Sequence, residues 1–183
     1  MNTRIESLRL IETACWQELA RAAREREHGW RTMTLATVDG DRAEARTVVL
    51  RETDLDRRWL LFYSDDRAAK LAQIAAHPLG TLLLWSDVLS WQLRLRVHLA
   101  PLDDRAEISA RWSRLKQSPS AQDYLSPLAP GATLIQHRGQ ERGSREHFAV
   151  IRATVQDIDW LELHPDGHRR AIFDAAGARW VQP

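Results

Sequence analysis

The chain has 183 residues, 44% hydrophobic and 28% charged, which is enough to bury a real core in one domain and short for two. Its 26 Lys and Arg against 25 Asp and Glu leave a formal charge of +1, which argues against a protein whose main affinity is for a nucleic-acid backbone. The lone Cys15 excludes an internal disulfide or a cysteine-rich metal site, and no apolar run reaches membrane-spanning length.

The opening MNTRIESLRL is charged from the start, so no signal peptide is expected and the cytoplasm is the expected location. Residues 4–28 carry Ile5, Leu8, Ile11, Cys15 and Leu19 at helical spacing, which predicts a helix ended by Gly29. The stretch TMTLATVDGDRAEARTVVLR then reads as two β-rich runs around Asp39-Gly40, a hairpin signal in which Asp41 lengthens the loop. RRWLLFYS is a third strand, followed by an alanine-rich helix, RAAKLAQIAAH, stopped before Pro78. GTLLLWS and WQLRLRVHL pair next. The latter alternates strictly, with Trp91, Leu93, Leu95, Val97 and Leu99 on one face and Gln92, Arg94, Arg96 and His98 on the other. Residues 103–116 form a helix with acidic residues first and Lys116 last, as the helix dipole prefers. From 117 to 146 the chain is rich in proline and glycine and reads as a long loop, a candidate lid or substrate-selecting segment. HFAVIRATVQDIDWLEL, a turn at HPDGHRR and AIFDAAGARWVQP return to strands. Strands joined by short turns, with helices inserted singly, suit a mainly β, α+β antiparallel barrel with peripheral helices, in a single domain over 1–183.

The sequence has no GxGxxG, Walker, HExxH or GxSxG motif. His164 and His168 are four apart but flank Pro165 and Gly167, so no metal is expected there. What stands out is an anion site. Ser64-Asp65-Asp66 ends a strand and opens a helix whose first turn carries Arg67 and Lys70 at i, i+3. Two cations there oppose the helix dipole, a conflict that a bound phosphate removes; pairing of Arg67 and Lys70 with Asp65 and Asp66 explains them equally. Arg46 and Arg51, in RTVVLR, point to opposite faces of an ideal strand, so one ligand reaches both only along the strand edge or at a bulge. Arg94, Arg96 and His98, taken alone, are acceptable on a wet sheet face.

In order and spacing, RTVVLR, LLFYSDDRAAK, HP, WQLRLRV and DWLELHPDGHRR together resemble the pyridoxamine 5'-phosphate oxidase family, an FMN-binding split β-barrel, over about residues 12–183. The resemblance implies that Arg46, Arg67 and Lys70 hold the FMN phosphate, with Ser64 adding a hydroxyl and Tyr63 beside it. It further implies that Thr47, Val48, Val49 and Arg51 run along the isoalloxazine and that Gln92 bonds its polar edge. Trp160 and Arg170 match positions that complete the pocket from a second subunit, so a homodimer with FMN at its interface is implied. Two departures stand out. Ala68-Ala69 separate Arg67 from Lys70, as in a divergent branch of the family, and the Arg-x-His-x-Arg motif appears as Asp166-Gly167-His168-Arg169-Arg170. An Asp where a cation is expected repels a substrate phosphate. The expectation is therefore an FMN-dependent oxidoreductase related to pyridoxamine 5'-phosphate oxidase but with a divergent substrate pocket and an unassigned small-molecule substrate, with His168 as a candidate substrate-orienting residue. The competing expectations are a non-catalytic flavin carrier or redox sensor, and an anion- or RNA-binding barrel without flavin.

Overall fold

The structure, a computed structural model, describes residues 4–134, 143 and 146–183. Eight antiparallel strands follow the order β3-β2-β1-β4-β5-β6-β7-β8, and β3 pairs again with β6. That second pairing closes six strands into a barrel and leaves β7 and β8 as an extension of its β6 wall. The strands are β1 Thr32–Asp39, β2 Arg42–Asp54, β3 Trp59–Ser64, β4 Leu79–Ser86, β5 Trp91–Pro101, β6 Ala149–Glu162, β7 Arg169–Asp174 and β8 Gly177–Val181. Three α-helices accompany them: α1 Leu8–Ala22, α2 Ala69–Ala76 and α3 Arg105–Leu115. The expected antiparallel split barrel with peripheral helices is the fold observed.

Alternation in β5 directs Trp91, Leu93, Leu95, Val97 and Leu99 into the barrel, where they meet Leu35, Leu50, Phe62 and Ile151. One end of this core is aromatic. Trp160 lies 5.2 Å from Trp91 in an edge-on contact and 6.3 Å from Trp180, while Trp30 tilts onto Trp91 at 6.4 Å. Helix α1 adds Ile11, Cys15, Trp16 and Leu19 to the same core.

Several boundaries differ from the sequence reading, each for a local reason. Helix α1 ends at Ala22 rather than Gly29 because the Arg31 guanidinium reaches back to the carbonyls of Ala22 and Ala23, supplying donors to the helix end. The first hairpin has a two-residue turn, Gly40-Asp41, with Asp39 opposite Arg42. Gly40 alone carries a positive φ, 60°, so Asp41 belongs to the tight turn and does not lengthen it. Helix α2 begins at Ala69, which places Arg67 in the turn ahead of the helix and not in its first turn. Within the expected 117–146 loop, Pro119–Tyr124 form a 3-10 helix packed beside α3; residues 135–142 and 144–145 lie outside the described residues. No helix among the described residues is long and apolar enough to cross a membrane.

Candidate functional site: an open strand edge and its cations

Strand β2 pairs with β1 along Arg42–Val49, but its pairing with β3 starts only at Leu50 opposite Phe62. Among the described residues the second edge of residues 42–49 therefore has no strand paired to it, because β3 stops at Ser64 and the chain turns away through Asp65 into α2. Backbone N–H and C=O groups on such an edge need other partners. Between Leu50 and Glu52 the register shifts by one residue, so Arg51 is the extra residue of a bulge. Arg46 lies within the open edge and Arg51 at the bulge just beyond it.

Arg46 lies against α2. It donates to Gln73 Oε1 at 2.8 Å and to the Thr37 hydroxyl, while Thr37 donates to the same Gln73 oxygen at 2.7 Å. Lys70 donates to Ser64 Oγ at 3.0 Å. Burial, and then the like charge of Arg46, push the Lys70 ammonium below its usual range, with Asp65 opposing. Neither Arg46 nor Lys70 has a carboxylate within 4.0 Å among the described residues. Two cations close enough to perturb one another, a hydroxyl, and an α2 N-terminus at Ala68 without a side-chain cap together form a cradle for an anion.

Arg67, expected in the same cradle, is directed elsewhere. Its guanidinium grips Asp65 at 2.7 and 3.0 Å and donates to the carbonyls of Ser126, Pro127 and Leu128. The pairing with Asp65 left open by the sequence is the one observed for Arg67, and Lys70 does not share it. Tyr63 faces outward under the Arg51 guanidinium, 5.4 Å from ring centroid to cation. Burial and then Glu52 raise its phenol to about 12. Arg51 Nε is buried with no partner among the described residues. Thr47 is exposed, Val49 half-buried on the outer face, and Val48 points into the core, so Val48 can offer a ligand only its backbone.

The polar face of β5 has two parts. Arg94 pairs with Asp159, which also holds Arg170 at 2.8 Å, and Arg96 faces Asp157 at 3.6 Å. Burial raises the Asp159 carboxyl, but the hydrogen bonds from Arg170 and Arg94 outweigh it and hold the group below the usual range. Gln92 has no such partner. It stands opposite Trp85 on β4 and Leu161 on β6, and Leu161 stands opposite Arg170, so Gln92 and Arg170 lie in one outward-facing row. Trp160 needs correction. It is fully buried among Trp91 and Trp180, because Ile158, Trp160 and Glu162 are the inward set of β6, and it offers no surface to a second chain's ligand. His168 closes the exposed β6–β7 turn, its Nδ1 accepting from the His164 amide at 3.1 Å.

The sequence reading missed Thr37 and Gln73, which orient Arg46, and Tyr124, which stands beside Arg51. It also missed Glu162. This buried carboxylate is held by Arg4, Arg169 and the Trp91 indole, and it stands at an inward position of an alternating strand. A cavity of about 250 Å³ lies elsewhere, lined partly by Glu12, Arg58, Phe173 and Asp174. Its charges are already paired, Arg58 with Glu12 and Asp174 with Arg179, so it lacks the uncompensated charge of the β2 edge.

Residues 13–101 match the family model described as pyridoxamine 5'-phosphate oxidase, FMN-binding domain. The pyridoxine/pyridoxamine 5'-phosphate oxidase of Caulobacter vibrioides is 30% identical over 178 residues, covering 89% of this chain and 78% of the relative. The chain belongs to the pyridoxine/pyridoxamine 5'-phosphate oxidase family. Another family member, from Thermosynechococcus vestitus, is 29% identical over 161 residues, covering 81% of this chain and 75% of its own. Among solved structures, a pyridoxamine 5'-phosphate oxidase-related, FMN binding protein from Nostoc punctiforme superposes with a TM-score of 0.74 at 22% identity, covering 93% and 96% of the two chains. PhzG from Burkholderia lata, solved with tetrahydrophenazine-1-carboxylic acid, gives a TM-score of 0.76 at 16% identity, covering 100% and 99%. At these identities the two structures share the family's barrel fold with this chain, which is the extent of the likeness they show.

Proposed function

We propose that this chain is an FMN-dependent oxidoreductase that holds the cofactor along the open edge of β2 and acts on a small molecule other than pyridoxamine phosphate. The carrying observation is the Arg46–Lys70–Ser64 cradle, two cations that have no carboxylate partner among the described residues, beside an unpaired strand edge. A phosphate there relieves the repulsion between Lys70 and Arg46 and takes charge-assisted hydrogen bonds from both. The free edge of Thr47 to Val49 presents backbone groups to the polar rim of an isoalloxazine. Bound FMN supplies hydride acceptance at its N5. Arg51, fixed by the bulge and lacking a carboxylate partner, contributes positive charge that favours the reduced form, and Gln92 offers an amide to the flavin's polar edge.

The outer face next to this edge exposes Val38, Leu79, Leu83 and Trp85, an uncovered apolar strip on β1 and β4. A second copy of the chain on that strip makes a homodimer, with Gln92 and Arg170 on the continuing sheet face near the contact. Light scattering on purified protein is expected to give twice the 21.0 kDa chain mass.

The test of the cofactor is the visible spectrum of purified protein after incubation with FMN and gel filtration. Wild type is expected to retain flavin bands and Arg46→Ala/Lys70→Ala to lose them. Colourless wild-type protein overturns the reading.

A further inference from the structure

The turn 64–70 has two sides. One presents Ser64 Oγ and Lys70 Nζ to the cradle; the other holds a segment that begins 59 residues further along the chain. Arg67 makes five side-chain contacts of hydrogen-bond length on that second side, two to Asp65 and one each to the carbonyls of Ser126, Pro127 and Leu128. Its backbone N–H adds a bond to Asp65 Oδ1 at 2.8 Å. A parallel tie runs through His147. Its amide donates to the Tyr124 carbonyl at 2.8 Å, its carbonyl accepts from the Asp66 amide at 3.3 Å, and its ring lies 3.1 Å from Asp66 Oδ1.

The two ties grip one short segment, His147 at Tyr124 and Arg67 at residues 126–128 just after it. The Tyr124 ring packs edge-on against Phe148 at 5.3 Å and Trp112 at 6.3 Å, in the small apolar cluster that includes Tyr63. Arg51 stands beside the Tyr124 phenol, which burial raises above its usual range while Arg51 opposes. The loop end therefore delivers an aromatic residue to the cation at the bulge.

We propose that Arg67 is a positioning residue, not a phosphate ligand: it clamps residues 126–128 onto the phosphate-binding turn and thereby holds Tyr124 in the aromatic cluster whose Tyr63 lies under Arg51. This inference rests on the turn being the phosphate anchor. A carboxylate gripped side-on and three carbonyls converging on one guanidinium need the planar fork of arginine, whereas a phosphate would accept a point charge. Asp65 is nearly buried and already spent on Arg67, so opening the clamp leaves a carboxylate without its main partner. The clamp accordingly stays closed when the cradle fills. The Asp65–Asp66–His147 group, whose ligand-type atoms come within 4.8 Å of one another, has its polar atoms engaged in these ties.

Two variants separate a clamp from a ligand. Asp65→Asn removes the acceptor while leaving the cation, and Arg67→Ala removes the cation; Arg67→Lys replaces the latter if alanine does not fold. As a clamp, both variants raise the hydrogen-exchange rate of the His147 amide tenfold or more in flavin-free protein, and both leave the FMN Kd within threefold of wild type. In both, the visible spectrum of bound FMN shifts in the direction given by Tyr124→Ala. A ligand gives opposite signs, with Arg67→Ala weakening FMN tenfold or more and Asp65→Asn tightening it. That pattern, an unchanged His147 exchange rate or an unmoved flavin spectrum each overturns the proposal. The exchange measurement needs no cofactor, so failure of wild type to bind FMN sinks the phosphate anchor and leaves the clamp result standing as a separate outcome.

Discussion

Two groups of cations lie on this barrel, and they differ in how their charge is balanced. On the outer face of β5 to β7, Arg94 and Arg170 converge on Asp159, and Arg96 has Asp157. At the open edge of β2, Arg46 has the neutral oxygens of Thr37 and Gln73, Lys70 has a hydroxyl, and Arg51 leans on an aromatic ring. In the first group every cation has a carboxylate partner within the chain, although Arg94 and Arg170 share one. The second carries excess positive charge that folding does not neutralise, and Lys70 registers it as a weakened hold on its proton. Counting arginines along the strands would give the outer face priority; asking which cations lack a carboxylate reverses the order.

The comparison breaks if flavin affinity follows the outer face. Removing Arg46 and Lys70 together deletes two charge-assisted contacts worth about 1.5–3 kcal/mol each, so the FMN Kd is expected to rise roughly 100-fold or more by fluorescence titration. Arg96→Ala in the same titration should stay within about threefold, since its pair is exposed and contributes under about 1 kcal/mol. A buried balanced group gives the contrasting stability result. Glu162→Ala strands Arg4 and Arg169, and urea unfolding should show a loss of about 3 kcal/mol. Lys70→Met should do the opposite, raising the stability of flavin-free protein by about 0.5–1 kcal/mol while abolishing FMN retention, because it removes an unbalanced charge that only the ligand offsets.

The pH dependence sharpens the contrast further. The folded, flavin-free protein holds the Lys70 proton less tightly than the unfolded chain does, so the anchor loses its charge at a pH below the ordinary 10.5. The FMN Kd should therefore begin to climb on the alkaline side before 10.5, and the Lys70→Arg variant should push that climb upward. A flat Kd across this range would mean that Lys70 does not carry the phosphate.

Much of the barrel was legible in the strand alternation. Residues 91–99 declare an inward and an outward face without help from any partner strand, and β5 is built that way. The closing pair β3–β6 was not legible, since Leu61 meets Arg152 across a long stretch of chain and no local pattern encodes that meeting. In the site, Ser64, Lys70, Arg46 and Arg51 were legible as an ordered series of short motifs. For Arg67 the sequence offered both a phosphate and a pairing with Asp65, and it could not choose because the 126–128 carbonyls that fix the guanidinium leave no local signal. Trp160 could have been assigned to the interior from sequence, as its parity with Ile158 on β6 places it there. Gln73 gave no signal, because a glutamine in an alanine-rich helix looks like any solvated residue until Thr37 and Arg46 arrive beneath it.

The bulge at Arg51 works as a frameshift in three dimensions. Upstream of it the even-numbered residues Val48 and Leu50 face the barrel interior; downstream, Glu52 falls on the outside, where it grips Arg111 of α3 at 2.9 Å. Deleting that one residue would restore a regular ladder with Glu52 still outward opposite Leu61 and still facing Arg111, so what the deletion removes is the cation over Tyr63. The shortest deletion at this position should therefore spare the fold while stripping the edge of one cation. Shortening of β2 by one residue should be accepted at the bulge and refused between Val48 and Leu50, where it would invert the inward and outward faces.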